Sequence, residues 1–377
     1  MKKYFSKYDI NVLCIAIGSS LILTDNLRSA GFIMIVLGLI SILFKSIKKP
    51  ILKIKKNTSL KILFLFAICS TFGGFVRGYG LTSSILAIIF VLVFYVIVIY
   101  DFYKIITLKL IIDIHVLIFI IGIFINPIRL FSYNSIFYNP NSLGGIAASL
   151  ILLLLALYLD SKNNNIDITL RFFLTRLFPI LFFLIISSSR ASILTVIFSV
   201  FLYFVFIFFQ SFKFFFRKFK YLVLIFVLSL PLLFSNFFYE FLNISLLTKV
   251  NNKSDNISSN RMEIWGIIID NINFFGHGRN FNILFSDFAG SAHNTFLSML
   301  GQNGFLAFFF YFIFWIIIFF RGVKIIRQSS LLFFITSCFL TLSMFESMHN
   351  KLSMYITFFM FANSYRMNKK FNKSLRK

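Results

Sequence analysis

The sequence predicts an all-α polytopic membrane protein: a single integral membrane domain over residues 1–377, with about twelve transmembrane helices. Three observations carry that expectation. The chain is 59% hydrophobic with a mean hydropathy of +0.90, more apolar surface than a soluble core of its length absorbs. Apolar runs of membrane-spanning length recur along it, separated by short polar connections. Its formal charge of +25 arises from 37 lysines and arginines against 12 acidic residues, and the basic residues sit between the apolar runs.

Twelve spans are expected near 9–24, 29–44, 59–76, 81–100, 106–126, 142–159, 168–187, 191–209, 221–235, 293–320, 331–345 and 350–364. The first follows Lys2, Lys3 and Lys7 and resembles a signal peptide, but "CIAIGSSLILTDN" offers no small-residue cleavage site, so it reads as an uncleaved span. With the N-terminus in the cytoplasm, 28 of the 37 basic residues fall on the cytoplasmic side and nine on the outer side. The positive-inside rule then places both termini in the cytoplasm. Runs such as "KSIKKPILKIKK" and "FKFFFRKFK" are topology determinants that touch anionic lipid headgroups, and no nucleic-acid partner is expected. Cys14, Cys69 and Cys338 fall inside spans without metal-like spacing.

The type of basic residue also divides by side. The cytoplasmic set holds 21 lysines and seven arginines, whereas the outer set holds six arginines (Arg28, Arg77, Arg129, Arg190, Arg261, Arg279) and three lysines. A guanidinium is a planar fork suited to phosphate and stays charged when partly desolvated. The outer face therefore reads as one that holds a phosphate. One long periplasmic loop, 236–292, separates spans nine and ten. Its part "RMEIWGIIIDNINFFGHGRNF" reads as a short amphipathic helix followed by a Gly-rich turn. A second outer connection, "PIRLFSYNSIFYNPNSLGG", has Asn139, Pro140 and Asn141 placed for a turn and an N-capped helix.

Candidate chemistry gathers on that face. Arg190 ends "FFLIISSSR", too few residues from Arg176 to cross a hydrocarbon core of about 30 Å, so either Arg171 and Arg176 snorkel strongly or Arg190 lies in a recess below the outer surface. His293 and Asn294, in "GSAHNTFLSMLGQNGFLAFFFYFIF", stand at the lip of a long apolar run. Imidazole, with an ordinary pKa near 6.5, suits a general base there. Glu263 is the alternative base. His115 with Asp113, and His349 with Glu346, have no support from spacing, and His277 is assigned to the turn. No acidic cluster, His/Cys ligand set or nucleotide loop is present, so neither a metal nor any other cofactor is expected.

Several of these stretches together resemble the O-antigen ligase and polymerase superfamily. "SSSRASIL" is similar to its Ser-Arg signature and "SSNRMEIW" to its Ser-Gly-Arg-x-x-x-Trp signature, with Asn260 where glycine is usual. "FFGHGRNF" followed by "AHNTFLSMLGQNG" resembles its Gly-x-Gly turn and His-Asn-x9-Gly segment, with Ala307 where a second glycine often follows Gly304. "YNPNSLGG" resembles a motif before the sixth span. The resemblance implies transfer of a glycan from an undecaprenyl-diphosphate-linked donor to a sugar hydroxyl, on the outer side of the bacterial cytoplasmic (inner) membrane. It implies Arg190 and Arg261 at the diphosphate and His293 as base. Arg77, Arg129, Arg279, Asn294 and Asn141 follow as substrate-binding candidates. The acceptor is a glycan, as in an O-antigen or capsular polysaccharide polymerase, or lipid A-core, as in a ligase, and a chain-length regulator is an expected partner. "NPNSLG" inclines the reading toward polymerase. A lipid-linked oligosaccharide flippase is the alternative from another class, disfavoured by the Arg/His-bearing outer loop and the absence of repeat symmetry.

Overall fold

The computed structural model describes residues 9–24, 26–46, 58–77, 82–99, 105–128, 132–164, 168–211, 261–278, 281, 292–346 and 359. Span nine, most of span twelve, Arg129, Arg279 and most of the cytoplasmic basic runs lie outside the described residues. Within them the chain is helical: α1 (Ile10–Leu21), α2 (Arg28–Ser46), α3 (Thr58–Val76), α4 (Thr82–Ile99), α5 (Ile105–Ile125), α6 (Pro140–Asn164), α7 (Leu170–Ile186), α8 (Arg190–Ser211), α9 (Arg261–Asp270), α10 (Thr295–Ile325) and α11 (Leu331–Phe345). Five of these (α3, α5, α6, α8 and α10) are long and apolar enough to cross a membrane by length and composition. The outward faces of α5, α7 and α8 carry exposed Phe124, Phe178, Phe201, Phe204 and Phe208. Such side chains belong against lipid, because water would oppose them by about 25 cal/mol per Å². The protein is a multi-pass membrane protein.

Packing follows the small residues. Gly18 of α1 and Gly31 of α2 meet backbone to backbone, where an added Cβ would lie 2.6 Å from the facing carbonyl oxygen or amide nitrogen. Helix α6 is the central element, with Leu143, Ile146, Ala147, Leu150, Leu153 and Leu157 all buried. It runs antiparallel to α11 in a register fixed by three polar contacts. At one end Asp160 accepts from the Ser330 amide at 2.8 Å and from Ser329 Oγ at 2.8 Å, which caps α11. In the middle Ser149 lies 3.6 Å from Cys338 Sγ, and at the other end Asn141 Nδ2 donates to Glu346 Oε1 at 2.7 Å. Elsewhere Asp113 and His115, which spacing left unexplained, have structural partners. Arg176 Nε donates to Asp113 at 2.8 Å, and His115 Nε2 lies 2.6 Å from Ser20 Oγ.

Span ten departs from its expectation. The run 293–320 is not one straight helix: Gly304 has φ 80° and ψ 171°, and α10 folds back on itself there. The Phe296 ring lies 6.0 Å from Tyr311 and 5.9 Å from Phe312. In a continuous helix those residues would be more than 20 Å apart at about 1.5 Å per residue. A short limb, 295–303, thus lies alongside a long limb, 305–325. The reversal is held by the Gly-rich turn of the long loop. Phe305 N donates to Asn273 O at 3.0 Å and His277 N to Gly301 O at 2.8 Å. Gly276, with φ 78°, sits backbone to backbone against residues 302–304, and Ser70 of α3 donates to Asn303 Oδ1 at 2.6 Å.

Candidate functional site

The fold-back lays the start of the short limb against the long limb. His293 precedes the limb at the end away from the reversal, roughly 13 Å of helix from it. Asn294 caps it, its side chain accepting from Leu297 N at 3.0 Å, and is itself buried. Here Asn294 acts as a cap. His293 takes φ 43°, a left-handed conformation uncommon for a residue with a Cβ. Such strain persists where surrounding structure enforces it, and it concentrates at functional sites.

Helix α9 supplies that enforcement. It is the short helix expected in the long loop, and Ile264 and Ile268 pack with Phe281, Ala292 and Leu297 against the short limb. Trp265 Nε1 donates to Ala292 O at 2.7 Å, pinning the residue just before His293. One turn earlier Arg261, half-buried at the start of α9, donates to Phe345 O at 3.3 Å. The next residue is Glu346, where α11 ends. Thr295 Oγ1 donates to the Glu346 carbonyl at 2.8 Å, and His293 Nδ1 lies 3.9 Å from its Oε2. His293, Glu346, Asn141, Thr295 and Arg261 therefore form one cluster drawn from four helices.

Arg190 is the first residue of α8, exposed, at a corner built from serines. Ser187 Oγ donates to Leu184 O at 2.7 Å, and Ser189 Oγ lies 2.8 Å from Ser192 Oγ. Gly144, one turn of α6 beyond Asn141, lets the corner approach so closely that any Cβ there would strike Ser189. Arg190 is thereby set beside the same end of α6 that grips Glu346. The second outer loop braces the corner from outside. Tyr133 N donates to Ile186 O at 3.1 Å, and Ser132 N to Ser188 Oγ at 3.3 Å. Burial pushes the Tyr133 phenol up, and it remains a donor to Asn126 O at 2.7 Å.

The remaining candidates are placed apart. Arg77 is exposed just past α3, one turn beyond Gly73, which abuts Phe275 at the reversal. It lies at the far end of the short limb from His293. Glu263 is exposed in the first turn of α9. His277 is tied into its turn, Nε2 lying 2.7 Å from Asn271 O and 3.0 Å from Asn273 Nδ2. The residue that sequence reasoning passed over is Glu346. The signal was there: it is one of 12 acidic residues, at the end of the apolar run "LLFFITSCFLTLSMF", where an unpaired carboxylate is costly.

Helices of membrane length thus gather arginines and a histidine at one end of a buried helix pair. Residues 175–312 match the family model described as O-antigen ligase, a stretch that contains Arg190, Arg261, His293 and Asn294. Over that stretch the chain is similar to the O-antigen ligase and polymerase superfamily. Asn141 and Glu346 lie outside the matched residues. No curated protein matches the chain.

Proposed function

We propose that the protein is a metal-independent glycosyltransferase of the bacterial cytoplasmic membrane. It moves an oligosaccharide from undecaprenyl diphosphate to a sugar hydroxyl on the periplasmic or outer side, as an O-antigen or capsular polysaccharide polymerase. The observation that carries this reading is the convergence of His293 and Arg261 on the Glu346 end of α11, with Arg190 at the adjoining helix start. The residues supply the chemistry the reaction needs. A diphosphate leaving group gathers negative charge as the glycosidic bond breaks, and fixed guanidinium groups stabilise it. Helices α6, α9 and α10 begin at the cluster and α8 beside it, so their positive dipole ends add to that field. The attacking alcohol loses its proton to His293. Arg77, Arg129 and Arg279 are assigned to the carrier phosphate or the acceptor sugar, and a chain-length regulator is the expected protein partner. Ligation to lipid A-core is the second reading, favoured by the description of the matching family.

Purified protein given lipid-linked donor and either repeat-unit or lipid A-core acceptor tests both readings. His293→Ala is expected to lose about 10²–10⁴-fold in rate with donor binding kept. Arg190→Lys and Arg261→Lys retain charge but lose the bidentate fork, and each is expected to lower transfer substantially. Normal turnover by His293→Ala with a dead Glu263→Ala would move the base to Glu263. Tolerance at all four positions would remove the transferase reading.

A further inference from the structure

We propose that Glu346 is the positioning residue for His293: its carboxylate, gripped by Asn141, sets the imidazole with Nδ1 turned inward and Nε2 presented to the acceptor hydroxyl. This rests on the transferase reading and adds to it a residue outside the matched stretch.

Glu346 is 7% exposed, and a carboxylate so placed needs partners. Asn141 donates to Oε1 at 2.7 Å. An amide holds a carboxylate in place without neutralising it. His293 meets the second oxygen, its Nδ1 3.9 Å from Oε2, within ion-pair distance. The two side chains differ in access: His293 is 38% exposed and Glu346 9%. One edge of the imidazole thus faces a buried anion while the rest of the ring reaches open space. Thr295 Oγ1 on the Glu346 carbonyl and Arg261 on the Phe345 carbonyl lock the end of α11 to the two segments that flank His293. That is the second-layer arrangement by which a carboxylate fixes a histidine's tautomer and stabilises its cation.

The proton balance is complete. The acceptor hydroxyl gives its proton to Nε2 as its oxygen bonds to the anomeric carbon. The bond from that carbon to the diphosphate oxygen breaks, and the diphosphate leaves with the electron pair. The imidazolium so formed points Nδ1–H at Glu346 and then releases the Nε2 proton to water.

Two readouts test the assignment. In transfer assays Glu346→Gln is expected to lower kcat by about 10–100-fold with KM for the lipid-linked donor within about twofold, and Glu346→Asp to recover part of the loss. In ¹⁵N-histidine spectra of the full-length protein in nanodiscs, the chain's four histidines give few signals, and the one absent in His293→Ala is assigned to His293. It is expected as the Nδ1-protonated tautomer in the parent and as a mixture in Glu346→Gln. A wild-type kcat in Glu346→Gln, or a His293 tautomer indifferent to that change, would overturn the proposal. Should Glu346→Gln fail to reach the membrane, a parent His293 protonated on Nε2 overturns it equally. If the parent transfers no glycan while the tautomer behaves as expected, the transferase reading fails and the Glu346–His293 pairing stands.

Discussion

Gly304→Ala puts the fold-back of α10 to a quantitative test. At φ 80° and ψ 171° the backbone occupies a region that is essentially glycine's alone, and forcing alanine there costs about 1–3 kcal/mol. Space adds to the strain. The new Cβ would lie 2.5 Å from Phe274 O and from Phe275 C, and closer still to Gly276 N. All three are backbone atoms of the turn that holds the reversal, so no side chain can swing aside, and overpacking of this kind adds about 1–3 kcal/mol. The combined penalty is about 2–6 kcal/mol, which for a chain of this size lowers the apparent Tm by about 3–8 °C. Thermal unfolding of detergent-solubilised protein, followed by tryptophan fluorescence and by monodispersity on gel filtration, reads the shift. Gly266→Ala is the matched control. It sits in the middle of α9 with nothing within 4 Å of its would-be Cβ, so it is expected to stabilise by about 0.5–1 kcal/mol. A Gly304→Ala protein that melts with the parent and transfers glycan normally would show that the chain does not reverse at this residue.

Reporter fusions after Lys56, Lys220 and Lys377 are expected to read cytoplasmic and fusions near Asn252 periplasmic or extracellular; a cytoplasmic signal at Asn252 would put Arg261 and His293 on the wrong side for the proposed chemistry. Glycan transfer by the purified protein is expected to survive EDTA, and loss restored by magnesium or manganese would reveal a metal site. Asp160→Ala removes the cap of α11 and strands the Ser330 amide, so a loss of about 1–3 kcal/mol is expected in the same thermal assay. An unchanged melting profile would show that Asp160 does not hold that end.

The helices were legible because hydropathy and length report lipid exposure directly. The expected 59–76, 191–209 and 331–345 fall within a residue or two of the observed Thr58–Val76, Arg190–Ser211 and Leu331–Phe345. The helix at Arg261–Asp270 and its Gly-rich turn were legible from amphipathic composition and turn chemistry. The reversal at Gly304 was hidden because both limbs are apolar and helical, and the only break between them is the short Gly301–Gln302–Asn303–Gly304 stretch, which reads equally well as close helix packing. Glu346 was hidden for a different reason. Its partners Asn141 and His293 come from α6 and the start of α10, and no spacing rule reaches across chain separations of 205 residues.

The short limb of α10 is a ruler. Its two marks are the reversal, clamped by residues 273–276 and Asn303, and His293 at the other end. Removing one residue between them would swing the imidazole about 100° around the limb axis, and adding a full turn would slide it about 5.4 Å past the Glu346 carboxylate. No change of length keeps both angle and depth. A variant that accepts a bulkier glycan must therefore be remodelled in the loops around the limb, with the count from Thr295 to Gly304 left as it is.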